Sequence, residues 1–243
     1  MSIFSSPSMV SEGLVLCLDA ANRDSYPGTG TAWTDLSGNG NNGTLTNGPT
    51  FNSANGGGIV FDGINDFILL SPMSGFSSFS LIVWFYPTVV QNYNNVLDMN
   101  YNSLLNSNMG NYGPRLEMNN IGNLAWVYSA NSNNNNFYAQ DVLSSGLQPN
   151  IWICASITYN GSTNNSVTYY NGNNTGLSRT NAGTGGGGYI GSFNTPRIGL
   201  GFGSYSMPRY FNGRISNVFI YNRELTAKEI LQNYNATRAR YGL

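Results

Sequence analysis

Short apolar runs alternate with polar positions along most of the chain, and glycine or asparagine ends nearly every run. This period of two predicts β-strands with one face buried. Roughly ten to fourteen strands in one continuous array predict an antiparallel sandwich. The runs that we interpret as strands are Gly13–Asp19, Gly58–Asp62, Asp66–Leu70, Phe79–Tyr86, Leu116–Met118, Leu124–Tyr128, Ile151–Tyr159, Ser166–Tyr170, Arg197–Gly201 and Gly213–Tyr221.

Turns between these runs have their own signal. Asn-Gly pairs at 42–43, 160–161 and 171–172 lie between or beside the predicted strands. Both residues of such a pair tolerate positive φ, which tight hairpins require. Two asparagine-dense stretches, Gln91–Tyr112 and Ser129–Phe137, lack clear periodicity. We expect them to be long polar loops with scattered edge-strand residues.

One helix is predicted, at about residues 226–238. Thr226 and Glu229 have the spacing of a capping box, in which each side chain accepts from the other residue's amide. Ile230, Leu231 and Tyr234 follow as an apolar stripe, which predicts that one helix face packs on the sandwich. We therefore expect an N-terminal arm at residues 1–12 and a single β-sandwich domain at 13–243 that ends in this helix.

Composition removes several classes of function. The chain has 243 residues, no histidine, 10 Lys+Arg against 11 Asp+Glu, and only 9% charged residues. The absence of histidine excludes a Ser-His-Asp triad and His-ligated zinc. With a single lysine and a net charge of −1, the chain lacks the excess of basic residues that nucleic-acid binding requires. No apolar run approaches the ~20 residues that span a bilayer, and the first residues show no secretory signal.

The two cysteines, Cys17 and Cys154, lie within apolar strand sequence. We expect buried, inert thiols there, because a free cysteine behaves as a small hydrophobe. A disulfide would need neighbouring strands with Cα atoms within ~7 Å of each other.

Seven segments in order resemble the laminin G family, which has a concanavalin A-like jelly roll. They span about residues 13 to 235 and are Gly13–Asp19, Trp33–Thr44, Ile59–Phe67, Phe79–Trp84, Trp152–Ala155, Val167–Gly172 and Phe211–Leu225. The resemblance implies an all-β fold of two packed antiparallel sheets, one of them concave, with a short C-terminal helix. Trp84 and Trp152 match core positions of the family, and we expect both to be buried.

The segments from Leu14 to Phe51 and from Tyr221 to Leu243 are similar to laminin G-like proteins of tailed bacteriophages, notably those of marine bacteria and cyanobacteria. That resemblance implies a non-enzymatic accessory protein of the virion, such as a capsid decoration, a head fibre or a tail fibre. Its partners would be other virion subunits, host surface glycans or further copies of itself. The alternative is a secreted or cell-surface carbohydrate-binding module, with calcium as a possible cofactor.

Candidate chemistry is sparse. Glycosidases of this jelly roll need two carboxylates projecting from one strand. None of the four glutamates lies in a Glu-x-Asp-x-x-Glu pattern, so we expect no enzyme. The family often binds Ca²⁺ through Asp, Asn and backbone oxygens. Two acidic turns match this pattern: one contains Asp35, and the other contains Asp62, Asn65 and Asp66. The alternative is that these carboxylates cap turns by accepting backbone N–H bonds.

Sugar binding would use an aromatic platform flanked by amide side chains. Four aromatic residues in or beside the asparagine-dense stretches are the candidates for exposure, although an aromatic residue in a sandwich is more often part of the core. They are Trp126, Tyr93, Tyr101 and Tyr112. Asparagine and serine suit a polar interface with neighbouring subunits equally well.

Overall fold

The computed structural model describes residues 7–90, 94–99, 114–118, 123–128, 138–143, 146–180, 193, 195–202 and 208–243. Its elements in chain order are β1 Leu14–Asp19, β2 Ala32–Trp33, β3 Gly43–Thr46, β4 Thr50–Asn52, β5 Gly58–Asp62, β6 Phe67–Leu70, β7 Phe79–Pro87, β8 Asn94–Asp98, β9 Arg115–Met118, β10 Leu124–Tyr128, β11 Tyr138–Leu143, β12 Ile153–Asn160, β13 Asn165–Tyr170, β14 Asn173–Thr180, β15 Arg197–Ile198, β16 Leu200–Phe202, β17 Pro208–Tyr210, β18 Asn212–Tyr221 and α1 Ala227–Thr237. Short 3₁₀ turns follow β4 and α1, at Ala54–Gly56 and Arg238–Tyr241.

Within the described residues the strands form two eight-stranded sheets and one separate pair. The first sheet has the order β14-β13-β12-β7-β18-β5-β4, and β1 also pairs with the long strand β18. The second sheet has the order β11-β10-β9-β8-β15-β6-β3-β2, and β16 pairs with β17. Every paired strand is antiparallel, so the predicted sandwich is confirmed.

The main core lies between the two sheets. Trp33, Phe61, Phe85 and Trp126 are fully buried members of one cluster that draws on both sheets. A second cluster covers the opposite face of the first sheet, where α1 packs. Trp84 lies there under Tyr241, with ring centroids 4.1 Å apart. The expectation that Trp84 and Trp152 are buried is therefore confirmed, since they are 0% and 6% exposed.

The helix begins as the sequence predicts. The Thr226 hydroxyl accepts from the Glu229 amide at 3.3 Å, and the Glu229 carboxylate accepts from the Thr226 amide at 2.8 Å. The predicted apolar stripe is partly wrong, because Leu231 is 42% exposed. Asn233 is buried instead: its Oδ1 accepts from the Val10 amide and its Nδ2 donates to a tyrosine hydroxyl of β18.

Two turn predictions have different outcomes. Asn171 and Gly172 have φ of 49° and 76° and join β13 to β14 directly, as predicted for a tight hairpin. Asn42-Gly43 is not a hairpin turn, because Gly43 begins β3 and the side-chain Oδ1 of Asn42 accepts from the Asp35 amide. A side chain at residue 43 would also meet Ile68 of β6 at 2.8 Å, which explains why glycine is needed inside the strand.

The asparagine-dense stretch 91–112 contains a strand that its composition does not predict. Asn94–Asp98 is β8, an interior strand of the second sheet between β9 and β15, rather than an edge segment. The predicted strand Arg197–Gly201 is divided in two by Gly199, whose φ of 79° turns the chain from β15 to β16. Within the described residues no helix is long and apolar enough to cross a bilayer.

Candidate functional site

The outer face of the second sheet, which points away from the core, carries two adjacent rows of side chains. In the first row Leu69, Arg197, Asp98, Arg115 and Val127 lie side by side on β6, β15, β8, β9 and β10. Residues directly opposite each other in an antiparallel pair project to the same face. Five strands at ~4.8 Å spacing give this row a length of roughly 19 Å.

The second row is shorter and lies beside the first. Asn95 of β8 is directly opposite Glu117 of β9, which is in turn opposite Ala125 of β10. We call the polar members of the two rows the polar face: Asn95, Asp98, Arg115, Glu117 and Arg197. In a chain with 9% charged residues, four charged side chains on neighbouring strands are a local concentration of hydrogen-bonding groups.

A β-bulge in β8 creates this arrangement. The register between β8 and β9 shifts between Asn95 and Leu97, so that Val96 is the extra residue. Val96 and Leu97 are both fully buried in the main core, while Asn95 and Asp98, three positions apart, project outward together. Bulges commonly re-aim side chains next to functional sites in this way.

Ion pairs hold the charged groups in place. Arg115 Nε lies 3.0 Å from Glu117 Oε2, and Arg209 Nη1 of β17 lies 3.4 Å from the same oxygen. These three side chains are only 13–15% exposed. The Arg197 guanidinium lies over the Phe67 ring, 5.0 Å from its centroid. Because their partners already orient them, the groups lose little side-chain entropy when they bind a ligand.

Asn95 differs from its neighbours. Its side chain is fully buried, and neither Nδ2 nor Oδ1 has a hydrogen-bond partner within the described part of the chain. It packs against Gly201 of β16 so closely that a Cβ added at residue 201 would lie 1.8 Å from Nδ2. A buried amide with both polar atoms unpaired costs free energy, so its presence needs an explanation.

The aromatic residues predicted to bind sugar do not form this site. Trp126 is fully buried, so the expectation that it is exposed is wrong. Strand alternation places it inward, directly opposite the core residue Leu116, where its ring offers no face to a ligand. Tyr93, Tyr101 and Tyr112 lie outside the described residues.

Asp35 caps a turn. Its Oδ1 accepts from the amides of Cys17 and Ser37, both at 2.9 Å. Its Oδ2 accepts from the Asn41 amide at 3.0 Å and from the Ser37 hydroxyl at 2.8 Å. This geometry matches the turn-capping alternative.

The second acidic turn joins β5 to β6. The Ile64 amide donates to Asp62 at 2.8 Å and lowers the pKa of that carboxyl. The Asp62 amide donates to Asp66, whose burial raises its pKa. Asn65 is exposed, and its backbone oxygen accepts from Asn47. No group of three Asp, Glu, Cys or His residues able to hold a metal occurs among the described residues, so calcium binding stays a prediction.

Sequence reasoning missed the polar face for two different reasons. Arg115 and Glu117 alternate with the apolar residues Leu116 and Met118, which is a readable signal for charged groups on the outer side of a strand. Asn95 has no such signal, because the bulge that turns it outward interrupts the alternation.

Comparison with known proteins identifies the fold family. The model of the laminin G type, described as the concanavalin A-like lectin/glucanases superfamily, matches residues 61–231, which is more than half of the chain. No curated protein matches the sequence.

Several solved structures are similar. Domain 4 of AbnA, a GH43 extracellular arabinanase from Geobacillus stearothermophilus in complex with arabinotriose, has a TM-score of 0.66 and 16% identity over 91% of this chain and 98% of that one. The binding domain of botulinum neurotoxin DC in complex with SialylT has a TM-score of 0.68 and 16% identity, and covers 93% of this chain. The binding domain of Paraclostridial Mosquitocidal Protein 1 has a TM-score of 0.67 and 18% identity, also over 93%. The chain spans 52% of each of these two toxin domains.

Proposed function

Because the chain belongs to the concanavalin A-like lectin/glucanases superfamily, we propose that it is a non-catalytic domain that binds glycans on the polar face. The observation that carries this proposal is the double row of fixed hydrogen-bonding side chains across β15, β8 and β9. Carboxylates, guanidinium groups and amides bind hydroxyl groups directionally, and specificity in such sites comes from a few placed polar groups.

The structural neighbours support this proposal to different degrees. The arabinanase domain, which is matched over nearly its whole length, holds arabinotriose in its structure. The neurotoxin domain that is in complex with SialylT is matched over only about half its length. The arabinanase domain is therefore the better guide, and it favours an oligosaccharide as ligand.

The engagement of three glutamates supports a non-catalytic role. Glu117 pairs with two arginines, and Glu224 accepts from Asn160 Nδ2 at 2.7 Å. Glu229 caps α1 and pairs with Arg223 at 2.6 Å. Carboxylates committed to such contacts are poorly placed to act as a nucleophile or a mobile general acid.

For the biological setting, we propose an accessory protein of a tailed-phage particle, which carries the domain as a fibre or capsid decoration and is extracellular once released. The resemblance of residues 14–51 and 221–243 to such proteins supports this setting. Binding to other virion subunits and self-association belong to the same proposal. A secreted or cell-surface lectin is the alternative setting, and the same polar face would serve either.

Of the two acidic turns predicted to bind calcium, we propose the one at Asp62–Asp66 rather than the one at Asp35. Each Asp35 oxygen already accepts two hydrogen bonds. For Asp66, one hydrogen bond is described, from the Asp62 amide. Glycan binding that is unchanged by chelation would separate the polar face from any role of this turn.

Glycan-array binding of the purified protein, with calcium and then with chelator, tests the proposed function. We expect binding to a defined set of oligosaccharides, weakened at least tenfold by Arg115→Met and by Glu117→Gln. Arg238→Met is the matched control, since Arg238 is exposed and lies over Tyr234 beside α1, on the other side of the sandwich. A well-folded protein that binds no glycan would overturn the proposal. Equal binding by all three variants would place the site elsewhere.

A further inference from the structure

We propose that Asn95 is the specificity-determining residue of the polar face, that it selects neutral saccharides with two adjacent hydroxyl groups, and that the strand pair β16–β17 shifts away from Asn95 when the saccharide binds. This inference rests on the proposed glycan-binding function and concerns the same site. Its three parts follow from the unpaired amide, from the contacts that cover it and from the charges around it.

The first step concerns the amide itself. Asn95 is fully buried, yet among the described residues neither its donor Nδ2 nor its acceptor Oδ1 has a partner. Asn233 of α1, which is also buried, uses both: Oδ1 accepts from the Val10 amide at 2.9 Å and Nδ2 donates to the Tyr221 hydroxyl at 3.0 Å. An apolar residue at position 95 would avoid the cost of burying an unpaired amide. A ligand that pairs both atoms would account for asparagine at this position.

The second step concerns what covers Asn95. Gly201 of β16 lies against the amide, and its register partner on β17 is Arg209. Arg209 reaches Glu117, which is the register partner of Asn95. Among the described contacts, the strand pair meets the polar face where Gly201 approaches Asn95 and where Arg209 pairs with Glu117 at 3.4 Å. Just before β16, the Gly199 amide also donates to the Val96 carbonyl oxygen of β8 at 2.9 Å. A ligand hydroxyl that competes for Glu117 would loosen this ion pair and open the space over Asn95.

The third step concerns the class of ligand. Arg115 and Arg209 both contact Glu117, and Asp98 lies between Arg197 and Arg115 in its row. Three guanidinium groups thus share two carboxylates, and each of the three already has a carboxylate beside it. A carboxylated sugar would bring a further negative charge next to Asp98 and Glu117, which is unfavourable at partly buried sites.

A neutral diol suits the remaining groups. Each hydroxyl group both donates and accepts, and the carboxamide of Asn95 offers one atom of each kind in a fork. Glu117 Oε1 is a further acceptor next to it, since both described ion pairs of Glu117 use Oε2. Two adjacent hydroxyl groups on a sugar ring can pair with Nδ2 and Oδ1 together, which a single hydroxyl group cannot do.

The test uses the full chain and titration calorimetry with arabinotriose, maltotriose, mannotriose and trigalacturonate as probes. We expect at least one neutral trisaccharide to bind ten times more tightly than trigalacturonate. Asn95→Leu, which keeps the branching at Cγ, and Asn95→Ala should each weaken that binding at least tenfold. The melting temperature of Asn95→Leu or Asn95→Ala should stay at or above that of the wild type, whereas Asn233→Leu should lower it because both Asn233 polar atoms are bonded.

Hydrogen exchange of the β16–β17 amides supplies the readout that a purely structural role would not change. We expect faster exchange there when the neutral trisaccharide saturates the wild-type protein. Unchanged glycan affinity in both Asn95 variants, preferred binding of trigalacturonate, or unchanged exchange at β16–β17 would each overturn the inference while the proposed function stands. Failure of the wild type to bind any glycan on the array would instead overturn the proposed function.

Discussion

Replacing Glu229 with Gln should remove a pH-dependent part of the stability of the fold. The Arg223 guanidinium donates to Glu229 at 2.6 and 3.1 Å and, with the Thr226 amide, lowers the pKa of that carboxyl from 4.5 to about 2. A lowered carboxyl pKa contributes stability that is present above the unfolded pKa and is lost as the pH falls through the folded pKa. The contribution should therefore be complete above about pH 4.5 and vanish near pH 2.

The magnitude follows from the two pKa values and the exposure of the pair. A fall from 4.5 to about 2 corresponds to roughly 3 kcal/mol as a ceiling. The Glu229 and Arg223 side chains are 24% and 26% exposed, so solvent screening reduces this to about 1 to 2 kcal/mol. In a domain of this size that loss lowers the melting temperature by roughly 3 to 6 °C. Gln keeps an acceptor for the Thr226 amide, so the difference reports mainly on the charge.

Denaturant unfolding of the wild type and Glu229→Gln between pH 2 and pH 7 measures this difference directly. We expect a constant gap from pH 5 to 7 that closes toward pH 2. Arg223→Met should produce a similar gap, and the double variant should lose little more than either single change. A gap that does not depend on pH, or full additivity in the double variant, would refute the assignment of the lowered pKa to Arg223.

Three further predictions concern other parts of the fold. Gly201→Ala should destabilise the protein by about 1 to 3 kcal/mol, because the added Cβ would lie 1.8 Å from Asn95 Nδ2. Unfolding curves should show a smaller penalty in an Asn95→Ala background, because that change removes the contacts at 1.8 and 2.5 Å. Tyr241→Ala should lower the free energy of unfolding by about 3 to 5 kcal/mol, since the ring stacks on Trp84. Tyr241→Phe should lower it by about 1 to 3 kcal/mol, because only the hydroxyl bond to Ser216 of β18 is lost. Equal losses in the two variants would contradict this division. Cys154 should react with a thiol reagent at pH 8 only in denaturant, because burial raises the pKa of its thiol to about 12. Rapid modification of Cys154 in the native protein would contradict that burial.

The elements with local signals were predictable. The capping box at Thr226 and Glu229 and the Asn171-Gly172 hairpin both formed as expected, because each depends on residues within four positions of one another. Both cysteines are free, since Cys17 is on β1 and Cys154 on β12, which do not pair; the expectation that they are buried is confirmed for Cys154 but wrong for Cys17, which is only partly buried. Strand β8 was missed, since an asparagine-rich segment becomes a strand only when β9 and β15 supply its hydrogen bonds.

The candidate site also combines residues that have a local sequence signal with residues that have none. The alternation of charged and apolar residues in Arg115–Met118 is a readable signal that Arg115 and Glu117 share one side of a strand, although no site was predicted there. Trp126 was mistaken for an exposed ring because it lies beside an asparagine-dense stretch, although its partner across the sheet is the core residue Leu116. The flanking sequence does not report which face of a strand the core covers.

The sequence by itself determined the class of the fold and the capped C-terminal helix, and its lack of histidine excludes histidine chemistry, because these depend on composition and on short-range periodicity. Only the tertiary structure decided which strands are neighbours. The bulge at Val96, the register that puts Asn95 opposite Glu117, and the approach of Gly201 and Arg209 join residues from four separate strands. Such contacts arise when two sheets and a strand pair pack together, and local sequence does not encode their distances.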